Sequence, residues 1–366
     1  MKSEKVNIFA LSKQDTSVMK GIAIIAMLCH HVYTCQPDWV EAYPFILTTM
    51  GELGKVCVAM FLFCSGYGLA VQYNKVIEQK TSYANRFRST VVFVLKRLLK
   101  FYFAYWFIFL IFVPITIICF DRPLSAAYGE NVNVWKGLFW DLLGVQGFSS
   151  YNITWWFNKL IILFYFLFPI LYAFVKSAKW LGLLASFIAM RFANKLGVFN
   201  YYEMFLWQFP FVLGIAWTIY QDKISCLSRF VAQHALWIKV GLVLLLIIGV
   251  LQRLYGLIPF GHIVGIRFDG FLTILILLCV TIILRDFVHC YSILSFLGKY
   301  SINIYLIHTF LNGYWKPIHT SRICRCLGLN MWILLLSSLL ISILLEYVKD
   351  KIFWNRLTEK IVVNIK

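Results

Sequence analysis

KGIAIIAMLCHHVY, residues 20–33, is an apolar run with a lysine at its entrance and two adjacent histidines near its end. About 20 apolar residues cross the hydrocarbon core of a bilayer as a helix. This run, extended to 18–35, is the first of ten of the kind. The others fall at 54–73, 99–120, 155–175, 180–196, 204–220, 236–254, 270–285, 292–312 and 330–348. Composition agrees: of 366 residues, 61% are hydrophobic and 14% charged. Soluble domains are about 45–50% apolar and about 25% charged. Mean hydropathy is +0.77. The chain therefore reads as all-α, a polytopic membrane helix bundle of about ten transmembrane helices. No Ser/Gly/Pro linker marks off a second domain.

Ten crossings put both termini on one side, and charge says which. Lys2, Lys5, Lys13 and Lys20 lie at the head, Lys349, Lys351, Arg356, Lys360 and Lys366 at the tail, and Lys75, Lys80, Arg86, Arg88, Lys96, Arg97 and Lys100 between the second and third runs. Basic loops stay cytoplasmic, so the termini are expected there. The opposite loop CQPDWVEAYPF carries Asp38 and Glu41 and no basic residue. The expected organisation is a cytoplasmic head over 1–17, a membrane-embedded domain over 18–350 and a basic cytoplasmic tail over 351–366. The net charge of +18 is spread between apolar runs, so it points to anionic headgroups and an anionic substrate rather than to nucleic acid.

Other signals are weaker. The first run lacks a small-residue cleavage site and is expected to stay as a helix. Cys29, Cys57, Cys64, Cys119 and Cys279 lie in apolar runs and are expected as small buried hydrophobes. No cysteine spacing suggests zinc, and Cys324-Arg325-Cys326 is a loop pair. Asn152-Ile153-Thr154 fits a glycosylation sequon at chance frequency. Pro114, Pro169 and Pro210 lie in or near runs and each frees a carbonyl. Glu203 and Asp141, at run ends, read as exposed boundary charges. Tyr33, Trp39, Trp155 and Trp156 fit an interfacial aromatic belt. No inverted repeat of the transporter kind is visible.

The histidines carry the chemistry. Lys20 sits at the cytoplasmic boundary, and His31 follows roughly 16 Å deeper at 1.5 Å per residue. An ionisable group at that depth normally faces a protein interior or a wet cavity. A neutral histidine bonded to a neighbouring helix explains it. So does a general base, because imidazole titrates near neutrality. His30 points about 100° away and reads as a helix-contact residue.

Residues 20–31 resemble the first helix of the integral-membrane acyltransferase family 3, O-acyltransferases of glycans, in which a basic residue and a glycine precede a histidine eleven positions after that basic residue. Lys20, Gly21 and His31 hold those places, with lysine where arginine is usual. GKVCVAMFLFCSGYGLA (54–70) resembles the family's second span, with Ser65, Gly66 and Tyr67 at its Ser-Gly-aromatic end. LKRLLKFYFAYW (95–106) is similar to its arginine-rich third helix, with Arg97, Lys100, and Phe103 where proline is usual. TWWFNKLIILFYFLFPIL (154–171) and LGKYSINIYLIHTF (297–310), with Ser301, Tyr305 and His308, follow in the family's order.

The resemblance implies transfer of an acyl group, often acetyl from acetyl-CoA as co-substrate, to a hydroxyl of a cell-surface or lipid-linked glycan. No permanently bound cofactor and no metal are implied. It implies His31 and Lys20 as catalytic residues, with His31 the base, Arg97 and Lys100 toward the donor's phosphates, and Ser65, Tyr67, Asn303, Tyr305 and His308 at the substrate cavity. Ser65, Asn303 and Lys20 are candidate donors to the thioester oxygen. Lys75, Lys80, Arg86 and Arg88 read as topology determinants. Expected partners are acyl-CoA, a glycan acceptor and the bilayer of the cell inner (plasma) membrane; no oligomeric state is implied. Two competing readings remain: a transporter or flippase of a glycan or small anion, and a non-catalytic scaffold.

Overall fold

The computed structural model describes residues 7–35, 43–77, 82–130, 133–147, 150–192, 202–257, 265–314 and 327–365. Trp39, Asp38, Glu41, Lys2, Lys5, Lys80, Cys324, Cys326, Lys366 and the end of the fifth run fall outside them.

The described residues are helical, with no strand among them. In chain order the helices are α1 (Lys13–Tyr33), α2 (Phe45–Gly54), α3 (Cys57–Val76), α4 (Tyr83–Cys119), α5 (Leu124–Tyr128), α6 (Val134–Leu142), α7 (Trp156–Ala178) and α8 (Trp180–Arg191). They continue as α9 (Tyr202–Tyr220), α10 (Leu227–Gln233), α11 (Ala235–Tyr255), α12 (Asp269–Ile282), α13 (Val288–Lys299), α14 (Ser301–Tyr314), α15 (Leu329–Lys351) and α16 (Trp354–Asn364). Helices alone satisfy every backbone group within one segment where no water is at hand. Among the described residues seven helical stretches are long and apolar enough to cross a membrane. α11 makes the lipid argument most directly: its best window has a mean hydropathy of 2.3 and is only 17% buried in protein. Leu244, Leu245, Ile247 and Ile248 face outward, a surface that only acyl chains solvate without cost.

All ten expected runs fall on helices, with four differences. A short α2 precedes the second run. α4 is 37 residues long, about 55 Å at 1.5 Å per residue, because Lys and Arg are good helix formers and extend the helix through the basic segment. The fifth run is a 12-residue α8. The ninth is two helices, α13 and α14, that meet at Tyr300.

The chain divides into two compact units. The first comprises Met1–Val76 and Phe168–Lys299, the second Ile77–Leu167 and Tyr300–Lys366. In the first unit α1 crosses α13 backbone to backbone: a Cβ at Gly298 would stand 1.8 Å from the Ser17 carbonyl oxygen, and one at Gly21 2.1 Å from that of Leu294. Small residues serve such crossings in membranes, where close packing replaces the hydrophobic drive. α3 lies on α9, with Thr218 Oγ1 donating to the Tyr67 carbonyl at 3.2 Å. In the second unit α14 packs on α4 and α15, and α16 on α4; the Trp354 indole N–H donates to the Phe103 carbonyl at 3.1 Å.

Candidate functional site

α1 carries Lys20 and His31 and is fixed at its start. Ser12 is the N-cap, and its hydroxyl accepts from the Asp15 N–H while the Asp15 carboxylate accepts from the Ser12 N–H. This capping box also holds a cation. Arg285 Nε and Nη2 donate to the two Asp15 oxygens at 2.9 and 2.7 Å, and Tyr291 Oη donates at 2.6 Å. Asp15 is buried while the Arg285 side chain is 30% exposed, so losing the arginine would leave a buried carboxylate without its cation. Tyr67 Oη donates to the Leu11 carbonyl at 3.0 Å and lies 3.2 Å from Gln221 Oε1. It therefore tethers the segment before α1. Cys64 Sγ lies 4.0 Å from the Thr16 carbonyl oxygen. That contact places Ser65 near the entrance end of α1 with half-buried Lys20, which stands about 16 Å along the axis from His31.

The other end of α1 carries the histidines, with ring centroids 5.2 Å apart. His30 Nδ1 lies 3.0 Å from the Gly51 carbonyl oxygen. A carbonyl only accepts, so Nδ1 carries the proton. His31 is half-exposed. α2 lies flat on this turn: a Cβ at Gly54 would stand 2.2 Å from the Ala26 oxygen and 2.9 Å from His30 N. Arg253 on α11 is buried. Its Nε donates to Asp269 Oδ1 at 2.9 Å and its Nη2 to the Glu52 carbonyl at 3.0 Å.

The second unit holds the remaining sequence-derived residues. Tyr305 Oη lies 3.0 Å from both the Thr154 carbonyl oxygen and Asn158 Oδ1. His308 is fully buried, its Nδ1–H donating to the Tyr305 carbonyl at 2.8 Å and its Nε2 lying 3.2 Å from Thr309 Oγ1. With both nitrogens bonded, the neutral ring is locked in place. Asn303 closes a triangle with Glu346 and Lys349. Its Nδ2 donates to Glu346 Oε1 at 2.7 Å, its Oδ1 accepts from Lys349 Nζ at 2.9 Å, and Lys349 reaches the same Glu346 oxygen at 2.7 Å. Arg97 is half-buried with its guanidinium over the Phe93 ring at 5.5 Å, and Lys100 is exposed.

The structure thus gathers Lys20, His31, Ser65 and Tyr67 in the first unit and Arg97, Lys100, Asn303, Tyr305 and His308 in the second. It also corrects two surface readings, of Asp141 and of the aromatic belt, and one core reading, since Cys119 is exposed rather than buried. Asp141 is buried, with its Oδ2 accepting from Tyr128 Oη at 2.8 Å and the Tyr151 N–H at 2.6 Å. Burial outweighs these bonds and pushes its carboxyl up to about 6. The reading failed because Asp141 ends an apolar stretch, where a charge is normally solvated. Trp155 and Tyr33 are core residues rather than belt; Trp155 Nε1 donates to the Leu306 carbonyl at 3.2 Å. Asn152 is buried and bonded to Thr154 through Oδ1, so it presents no amide for glycosylation.

Sequence reading passed over Arg253, Asp269 and the Asp15–Arg285 pair. The signal for Arg253 was present: a charge inside an apolar run is itself a pointer.

Comparison with known families supplies the last finding. A family model described as an acyltransferase domain matches residues 15–349. No curated protein and no solved structure matches the chain.

Proposed function

The chain belongs to the acyltransferase family 3 of membrane proteins, and we propose that it moves an acetyl group from acetyl-CoA to a hydroxyl of a cell-surface or lipid-linked glycan, with His31 as general base. That it is a multi-pass membrane acyltransferase follows from the family and the apolar helices; donor, acceptor and base are the reading. The observation that carries it is the pairing of Lys20 and His31 on one helix inside the matched region, eleven residues and roughly 16 Å apart.

In this reading the termini are cytoplasmic and ten segments cross the inner membrane. The CoA phosphates meet the basic entrance of α4, where Arg97 offers a planar fork and Lys100 a point charge. Lys20 and Ser65 lie toward the entrance end of α1. At the other end His31 takes the proton of the acceptor hydroxyl as its oxygen attacks the thioester carbonyl. The new C–O bond forms, the C–S bond breaks, and the CoA thiolate leaves and is reprotonated. In the second unit the polar atoms of Tyr305 and His308 are already held by neighbouring groups.

Mass spectrometry of surface glycans from cells with the wild-type protein, with His31→Ala, and without the protein tests the reading. A 42-dalton ester on the glycan, present only with the wild type, is the expected result on the mass of an acetyl group. Glycans that reach the surface only with the protein yet carry no ester would favour a flippase.

A further inference from the structure

We propose that Arg253 is a positioning residue for this transfer: bridging Asp269 and the last turn of α2, it fixes the short helix that backs the His30–His31 turn of α1, and through it the imidazole of His31. The proposal rests on the acyl-transfer reading above.

α2 has ten residues and no side-chain hydrogen bond at its N-cap. A helix this short has little stability of its own, so external contacts fix it. Its last turn leaves carbonyls without intrahelical partners. Two of them, on adjacent residues, are taken up by side chains from different helices. Gly51 O accepts from His30 Nδ1–H of α1 at 3.0 Å, and Glu52 O from Arg253 Nη2–H of α11 at 3.0 Å. A cation at a helix C-terminus also meets the negative end of its dipole.

The geometry of the ion pair points the same way. Arg253 and Asp269 are both buried, and a buried guanidinium–carboxylate pair gains most from two parallel bonds. Here Arg253 makes one, Nε to Oδ1 at 2.9 Å. Asp269 Oδ2 is buried with no hydrogen-bond partner among the described residues. The second arm of the fork is diverted to α2.

What α2 backs is the site itself. Gly54 and Gly51 place its backbone against residues 26–34 of α1, with a Cβ at Gly51 falling 2.9 Å from Tyr33 Cβ and 3.1 Å from the Cys29 oxygen. His31 lies within that stretch. Lys55, at the end of α2, is the other cation whose field reaches His30.

The test uses the full chain in nanodiscs, wild type against Arg253→Met and Arg253→Lys, read by acetyl transfer from acetyl-CoA and by NMR of 15N-labelled histidine. Arg253→Met is expected to lower kcat about tenfold or more with KM for acetyl-CoA within about twofold, and to move the titration midpoint of the His31 ring. Arg253→Lys keeps one donor for Glu52 O, so part of kcat should return. If His31 titrates unchanged in both variants, or if both keep wild-type kcat, the proposal fails. Arg253→Lys decides alone if the methionine variant does not fold. A wild type that transfers nothing sinks the acyl-transfer reading instead, and the His31 titration still decides whether Arg253 positions the ring.

Discussion

Asp141 shows how one buried side chain ties stability to pH. Its carboxyl lies among Tyr128, Tyr151 and the Tyr105 hydroxyl, which donates to the Asp141 carbonyl at 2.5 Å. Arg122, over the Tyr151 ring at 5.1 Å, is the nearby cation. Burial raises the group from 3.8 to about 6. The raised value means the fold prefers the protonated acid. That contribution is complete below about pH 4 and is lost as pH rises through about 6, an effect of about 3 kcal/mol. Hydrogen exchange over residues 120–152 should therefore speed up between pH 4 and pH 7 beyond the intrinsic chemical rate. Asp141→Asn should abolish the excess; the same excess in the variant would remove Asp141 from the explanation. The family resemblance is what selects His31 over His30, and reading from apolar patterning misjudged Asp141 and Trp155. Apolar periodicity says which residues can be buried, and hydrogen-bond partners from distant segments decide which polar ones are.

At the scale of elements, the helices were legible and their joints were not. The ten apolar runs lie largely on helices, and among the described residues seven helical stretches are long and apolar enough to span. α2, the break at Tyr300 and the reach of α4 depend on which groups meet at helix ends. The glycine contacts carry the packing. Gly298→Ala would drive a methyl group into the Ser17 carbonyl, and Gly54→Ala one into that of Ala26. Neither obstacle is a flexible side chain, so each helix pair must separate, at a cost of about 1–3 kcal/mol or more. Thermal unfolding in detergent should show a lower midpoint for both. Only Gly54→Ala should also cut acetyl transfer sharply, since it lifts α2 from the histidine turn. Equal activity per folded molecule in the two variants would detach α2 from the site.

For the whole molecule, charge and hydropathy predict an orientation. The net charge of +18 lies largely in the head, the tail and the segment before α4, and basic loops resist translocation. A green fluorescent protein fused after Lys366 should fluoresce, and alkaline phosphatase at the same place should stay inactive. An active phosphatase would put the tail outside and overturn the reading of two cytoplasmic termini. The apolar α11 belongs to this scale too, as its outward leucines and isoleucines make sense only against lipid. The family was legible from five motifs in order, whereas the gathering of Lys20 and Ser65 at one end of α1 and of Arg253 and Asp269 near the other needed coordinates.

The proposed transfer requires a proton to leave an acceptor hydroxyl for His31. Purified protein in nanodiscs, given 14C-acetyl-CoA and glycan acceptor, measures this directly when wild type is compared with His31→Gln. General-base catalysis contributes about 10²–10⁴-fold, so label transfer by the variant should fall by that factor while acetyl-CoA binding persists. Transfer by His31→Gln at the wild-type rate would contradict the account.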